Sequence, residues 1–137
     1  MKTKQILTTT LLVVSIACSA FATSPTSNTQ SKIDWQKAEK NYLAALSSDN
    51  AGLRHSAANY IGEYRLKGAV YELIGLLQTD RVEKNRMAAA LALMQIGGKE
   101  PVKAVEEAAL YDGSEKVSRF CEQLLHATAT RDLSLKN

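Results

Sequence analysis

The feature that most restricts the fold of this 137-residue sequence is a segment that recurs after 32 residues. At that offset, residues 54–62 align with residues 86–94. Both segments begin with an arginine, continue with a pair of alanines and place a large apolar residue, Ile61 or Leu93, seven positions after the arginine. A further step of 32 places Cys121 in the alanine position. A fixed period of this length indicates a repeat architecture.

Apolar residues within each repeat are three or four positions apart, as in Leu53, Ala57, Ile61 and Tyr64, and do not alternate with period two. This spacing predicts helices, and with only 7 Gly and 2 Pro the chain lacks the turns of a sandwich or barrel of short strands. Breaks in the pattern predict six helices, at about 34–47, 50–64, 68–78, 82–96, 99–111 and 114–129.

A two-helix unit cannot bury its apolar stripe alone, so neighbouring units must stack and share one core. The repeat register predicts which residues meet inside that core. Small side chains should let neighbouring helices approach closely, and larger ones should fill the space between layers. The predicted small residues are Ala57, Ala89 and Cys121, and the predicted large ones are Ile61, Leu93 and Leu125.

The strongest unit contains Arg54, Ala57-Ala58, Ile61-Gly62, Ala69-Val70 and Leu73-Ile74-Gly75-Leu76-Leu77 before Asp80. This pattern resembles the HEAT-like repeat family, especially the short bacterial form also seen in phycobilin lyases. The second unit departs from the pattern at Met94 and Glu106. The resemblance covers residues 34–129 and implies an all-α fold, a short right-handed α-solenoid of about three HEAT-like helical hairpins.

Charged residues recur with the repeat. The acidic series is Asp49, Asp80 and Asp112, and the basic series is Arg54, Arg86 and Arg119, although Arg119 is one position late in the register. In the resembled family, such residues brace the turns between units, with Asp capping a helix start and Arg reaching the neighbouring turn. The resemblance therefore implies a structural role and no site.

The first 22 residues have the pattern of a secretory signal: a positive start at Lys2 and Lys4, an apolar run, and small residues before position 23. We expect cleavage after Ala22, a disordered leader over residues 23–33, the repeat domain over 34–129 and a flexible tail over 130–137. The expected location is periplasmic or secreted. The alternative is a lipoprotein anchored at Cys18, which follows small residues.

The sequence contains few residues that could form a catalytic, metal-binding or nucleic-acid-binding site. Removal of Lys2 and Lys4 reduces the 17 basic residues to 15 against 14 acidic ones, a net charge of +1 that argues against nucleic acid as a partner. His55 and His126 lie in different units, without further ligands at metal-binding spacing. Cys121 is expected to be a buried, unreactive thiol. We therefore predict no metal, no cofactor, no transmembrane segment and no enzymatic activity.

The remaining candidate is a surface. Tyr71 and Lys103 each follow the leading apolar residue of a second helix, and Lys40 has the equivalent position one repeat earlier, so stacking should bring all three to one side of the solenoid, which in the resembled family is usually concave. An aromatic ring beside two lysines suits a peptide or acidic ligand. The predicted function is an exported, non-catalytic protein–protein interaction module, an adaptor or scaffold of the bacterial envelope. The alternatives are a structural subunit that oligomerises through its open repeat ends, around Trp35 and Phe120, and an enzyme like the phycobilin lyases.

Overall fold

The computed structural model describes residues 34–134, except for the side chains of residues 132 and 133. The expected signal peptide at 1–22, the leader at 23–33 and the alternative lipidation site at Cys18 lie outside the described residues.

Within that range the chain forms six α-helices and one 3-10 turn, and no strand. The elements are α1 (Trp35–Leu46), α2 (Ala51–Glu63), the 3-10 turn (Lys67–Ala69), α3 (Val70–Thr79), α4 (Glu83–Ile96), α5 (Lys99–Tyr111) and α6 (Glu115–Ser134). The six predicted helices are confirmed, and most of their ends agree within one or two residues.

The last helix is longer than the sequence pattern indicated. It continues to Ser134, whereas the apolar pattern predicted an end at residue 129 and a flexible tail beyond it. The hydroxyl groups of Thr128 and Thr130 donate hydrogen bonds to carbonyl groups one turn earlier, at 2.9 Å each, and neither Gly nor Pro interrupts the segment. The apolar stripe therefore ends before the helix does.

The helices form two layers of alternate elements. α2, α4 and α6 lie side by side in one layer, α1, α3 and α5 lie in the other, and α4 occupies the centre, in contact with α2, α3, α5 and α6. The predicted all-α solenoid is therefore confirmed. Each helix of the first layer contacts its equivalent in the next repeat, which explains why the repeat pattern is strongest there.

The core follows the predicted register. Ala57, Ala89 and Cys121 are buried in α2, α4 and α6, and so are Ile61 and Leu93, while Leu125 is half-buried. α2 and α4 approach each other closely where a Cβ added to Gly62 would lie 2.7 Å from the Cα of Ala92. Small residues therefore let these two helices pack closely at this point, although Gly62 and Ala92 are not among the small residues that the repeat register predicted.

Local sequence sets the helix starts and turns. The Asn50 side chain caps α2 by accepting hydrogen bonds from the backbone amides of Gly52 and Leu53, at 2.9 and 3.2 Å. The turn between α4 and α5 places Gly97 and Gly98 at φ values of 74° and 108°, which glycine adopts without the steric penalty of a Cβ.

Candidate protein-binding surface

Two ion pairs link successive repeats. The Arg54 guanidinium donates to both carboxylate oxygens of Asp80, at 2.6 and 3.2 Å, and Arg86 does the same to Asp112, at 2.8 Å for each bond. Both pairs join residues 26 positions apart and both are largely buried. Bidentate, charge-assisted bonds of this kind hold one geometry firmly.

Each partner in these pairs also braces a turn. The Nη1 of Arg54 donates to the carbonyl of Ser48 and that of Arg86 donates to the carbonyl of Asp80, both at 2.8 Å. Each carboxylate accepts a hydrogen bond at 2.8 Å from the backbone amide two residues later, at Val82 or Ser114. The structure therefore assigns both ion pairs to the connections between repeats, and we call them the turn ladder.

In the turn ladder, hydrogen bonds lower the pKa values of the two aspartates by more than burial raises them. Burial alone would raise the pKa of Asp80, but the bonds from Arg54, Val82 and Asn85 reverse this effect, and the pKa is lowered from its ordinary value. The pKa of Asp112 is lowered in the same way, against burial, by the bonds from Arg86 and Ser114. Both carboxylates are therefore held in the charged state.

Two residues of the predicted charged series do not belong to the ladder. Ser48, not Asp49, is equivalent to Asp80, and its hydroxyl accepts the backbone amide of Asn50 at 3.1 Å. Ser118, not Arg119, is equivalent to Arg86, and its hydroxyl reaches the carbonyl of Asp112 at 3.4 Å. At both positions, therefore, a serine makes the contact with the turn and forms no ion pair.

Arg119, one position away, pairs with Glu115 on the surface of α6. The residue series was therefore wrong at these two ends. On α6 a shift of one position turns a side chain by about 100°, and Ser48 and Asp49 lie in the turn between α1 and α2, where neighbouring residues make different contacts.

Each of the three predicted binding residues is exposed in the second layer. Lys40 lies on α1, Tyr71 on α3 and Lys103 on α5. The Tyr71 side chain is 71% exposed, and its hydroxyl lies 3.5 Å from a carboxylate oxygen of Glu100. The Lys103 ammonium lies 3.8 Å from Glu107. The structure gives no contact that joins the three residues, so their grouping stays a prediction.

Two exposed apolar residues on α5 extend this surface. Leu110 is 71% exposed and Tyr111 is 80% exposed. Both lie about two helical turns after Lys103, at spacings that place them near it on the same side of α5. We call the exposed side of α1, α3 and α5 the second-helix face. It is defined by Lys40, Tyr71, Gly75, Lys103, Leu110 and Tyr111.

Sequence reasoning missed Leu110 and Tyr111. It placed Ala109 and Leu110 together at the end of an apolar run, and the structure buries Ala109 but leaves Leu110 exposed. The available signal was the register, since the residue 32 positions before Leu110 is the polar Gln78. When a large apolar residue occupies a position that is polar in another repeat, we expect its side chain to be exposed and available for a contact.

A cleft lies beside Tyr111. It has a volume of about 400 Å³ and lies where the C-terminal ends of α3 and α5 meet the turn ladder at Asp112. Its lining includes the exposed residues Gln78 and Glu107 and the less exposed residues Leu77 and Ala108. Between this cleft and Tyr71, a Cβ added to Gly75 would meet no atom within 4 Å, so the centre of the second-helix face is low and open.

The sequence predicts no catalytic or metal-binding role for Cys121, His55 and His126, and the structure gives the surroundings of each. Cys121 is fully buried, and burial raises the pKa of its thiol to about 11, so the thiol is protonated at neutral pH. His55 is half-buried on α2 and His126 is exposed on α6, well before the helix end. Among the described residues, no group of three His, Cys, Asp or Glu side chains could hold a metal ion, and no helix is long and apolar enough to cross a membrane.

A family model described as HEAT repeats matches residues 40–125, more than half of the chain. The match begins within α1 and ends within α6, so it includes both copies of the turn ladder. No curated protein matches the sequence.

Proposed function

Since the chain belongs to the HEAT repeat family, we propose that it is a non-catalytic interaction module that holds a protein or peptide partner on the second-helix face. One observation carries the proposal: among the described residues, Tyr71, Leu110 and Tyr111 are the most exposed of the large apolar side chains, and all three lie on second helices, α3 and α5. These three side chains contribute nothing to the core, because other residues already fill the buried positions of each repeat.

The composition of this face suits a protein partner. Exposed aromatic side chains supply large contact areas at low entropic cost, and interfaces concentrate their binding energy in a few such residues. Gly75 leaves room between them for a partner's backbone or a helix ridge. Lys40 and Lys103 add positive charge at the edge, which Glu107 partly offsets. We therefore expect a partner segment with apolar anchors and flanking acidic residues.

The non-catalytic assignment is supported by where the perturbed ionisable groups lie. Apart from Cys121, the described groups whose pKa values depart clearly from normal are the four residues of the turn ladder, Arg54, Asp80, Arg86 and Asp112. All four are engaged in bracing turns. Functional sites are usually where perturbed ionisable groups are left available for chemistry.

The envelope location rests on residues 1–22 alone. Mass spectrometry of the protein recovered from cells tests it. A chain that begins at Thr23 supports a cleaved signal, a diacylated Cys18 supports the lipoprotein alternative, and an intact Met1 contradicts export by either route.

The binding test compares capture by two variants. The protein serves as bait for an envelope extract, and co-purified proteins are quantified for wild type, for Tyr71→Ala/Leu110→Ser and for Lys116→Ala/Gln123→Ala. The last variant changes exposed residues of α6 and is the matched control. We expect one or a few partners that fall at least tenfold in the first variant and persist in the control. Equal recovery by all three proteins would contradict the proposed face.

A further inference from the structure

The cleft beside Tyr111 has a counterpart one repeat earlier. This counterpart has a volume of about 620 Å³ and is lined by residues of α1, α3 and the turns that follow them, among them Glu72. We call the two the Tyr111 cleft and the Glu72 cleft. Each contains one pair of the turn ladder, and the two pairs are 32 residues apart: Arg54 with Asp80, and Arg86 with Asp112. Each pair of the ladder therefore accompanies a cleft on the same edge of the second layer.

The two clefts differ in chemistry at equivalent positions. Glu72 lines one cleft, and Ala104, which is 32 residues later, lines the other. In the same way Thr79 is replaced by Tyr111. A carboxylate in the first cleft therefore corresponds to a methyl group in the second, and a small hydroxyl side chain corresponds to a ring that is 80% exposed. A partner that occupies both clefts must present two different kinds of side chain to them.

The Glu72 cleft suits a cation. Asp49 and Glu72 both line it, both are exposed, and within the described part of the chain neither forms an ion pair. In the described lining, Arg81 is the one cation that is not already bound in the turn ladder. α1 ends at this cleft, and a helix C-terminus carries partial negative charge. The unbalanced carboxylate should therefore attract a Lys or Arg side chain of a partner.

The Tyr111 cleft suits an apolar side chain. Ala104 and Ala108 line it together with the exposed ring of Tyr111. Apart from the ladder pair, the charged residue of its lining is Glu107, whose carboxylate lies 3.8 Å from the ammonium of Lys103. Removing apolar side-chain area from water is favourable, and an exposed ring offers a large area of this kind. We therefore expect an apolar side chain of the size of Leu or larger to occupy this cleft.

The spacing of the clefts favours one backbone conformation for the partner. Packed helices lie about 8–10 Å apart, and the contacts of α3 with α1 and α5 are sparse, which favours the upper end of that range. Side chains on one side of a polyproline II helix recur every three residues, about 9 Å apart. In a β-strand they recur at about 7 and 13 Å. A polyproline II segment therefore matches the two clefts with residues three positions apart.

We infer that the partner of the second-helix face is a segment in the polyproline II conformation, which crosses the C-terminal ends of α1, α3 and α5 and carries a Lys or Arg three positions from a large apolar residue. The basic side chain lies in the Glu72 cleft and the apolar one in the Tyr111 cleft. This inference rests on the proposed function and specifies its partner. The acidic residues expected beside Lys40 and Lys103 contact a different part of the face, further from these helix ends.

Synthetic peptides of about ten residues test the sequence and the spacing. Each is titrated into isotope-labelled protein, and the amide chemical shifts report the dissociation constant and the location of binding. Peptides that contain Lys-Pro-Pro-Leu or the reverse order should bind with a dissociation constant below about 1 mM and shift amides that line both clefts. Glu-Pro-Pro-Leu and Lys-Pro-Leu should bind at least tenfold more weakly. The reverse order is included because a polyproline II helix presents every third side chain on one side in either chain direction.

Two substitutions test the clefts separately. Glu72→Lys should weaken binding of the Lys peptide at least tenfold and strengthen binding of the Glu peptide, because it reverses the charge of the side chain that meets them. Its control is Glu122→Lys, which makes the same charge change at an exposed position of α6 outside both clefts. Ala108→Leu gives the Tyr111 cleft the residue that the Glu72 cleft already has at Leu76. The fold should therefore be kept, as circular dichroism verifies, while the space for the apolar side chain is lost and binding falls at least fivefold.

Three results would each overturn the inference: no binding of either Lys-containing proline peptide at about 5 mM, equal binding of the Lys and Glu peptides, or tighter binding of a helical peptide whose Lys and Leu are seven residues apart. The proposed function can fail or stand separately. An envelope partner that Tyr71→Ala/Leu110→Ser loses but Glu72→Lys retains would contradict this inference alone. Peptide binding as predicted, with no partner recovered from the envelope extract, would contradict the proposed function alone.

Discussion

The guanidinium of Arg86 in α4 holds the carboxylate of Asp112, 26 residues further along the chain, through two hydrogen bonds of 2.8 Å. The third nitrogen of Arg86 bonds the backbone carbonyl of Asp80, at 2.8 Å. One side chain thereby connects the turn before its own repeat to the turn after it. The same contacts around Arg54 make this relationship a property of the repeat.

Asp112→Ala should destabilise the protein by about 3 kcal/mol, because it leaves the guanidinium of Arg86, whose side chain is 13% exposed, without its partner. The free energy of unfolding is measured by urea denaturation. The control is Glu115→Ala, which removes the exposed pair with Arg119 and should cost less than about 1 kcal/mol. Equal losses for the two variants would contradict a structural role for the ladder.

Stability should fall in acid. The pKa values of Asp80 and Asp112 are lowered in the folded protein, so their contribution is complete above the ordinary aspartate pKa and is lost as pH falls through the lowered values. Urea denaturation between pH 7 and pH 2 should show a decline that begins near pH 4. Asp112→Asn should be less stable at pH 7 and should decline less steeply. A parallel curve for that variant would refute the assignment.

Two glycine substitutions should have opposite effects. Gly62→Ala places a Cβ 2.7 Å from the backbone of Ala92, so α2 and α4 must separate, at a cost of about 1–3 kcal/mol. Gly75→Ala meets no atom within 4 Å and lies inside α3, where alanine should stabilise by about 0.5–1 kcal/mol. Thermal unfolding of both variants compares them directly. No loss for Gly62→Ala would contradict the close approach of α2 and α4, and a loss for Gly75→Ala would contradict the open surroundings of Gly75.

Cys121 should react slowly in the folded protein. Its thiol is buried and has a pKa of about 11, so the thiolate fraction at pH 8 is far below that of a free cysteine. Labelling by a disulfide reagent, followed by peptide mapping of Cys121, should be at least 100-fold slower than in urea. Rapid labelling without denaturant would instead place this thiol in contact with solvent.

Much of the fold could be predicted from periodicity. The spacing of Ala57, Ile61 and their repeats identifies both the helices and the buried sides, because one helical face must be apolar wherever units stack. Asn50 and the Gly97-Gly98 pair set boundaries by local hydrogen bonding and backbone conformation. These features are local or periodic, and the sequence contains them directly.

Other features depended on which residues meet across helices. Ser48 and Ser118 replace the neighbouring charged residues in the turn ladder, and a comparison of residue types alone selects the charges instead. The sequence placed Ala109 and Leu110 together at the end of an apolar run, and the packing of α5 decides that Ala109 is buried and Leu110 exposed. In both cases a shift of one residue decides the contact.

The amino-acid sequence by itself determined that this chain is a stack of paired helices, because each unit repeats an apolar stripe that only another unit can cover. Only the tertiary structure decided which copies of that stripe remain uncovered. Tyr60 and Ala92 occupy equivalent positions, yet one is half exposed and the other buried. The reason is that burial depends on the presence of a neighbouring helix, and α4 has α2 beside it in the same layer, whereas no described helix of that layer lies on the outer side of α2.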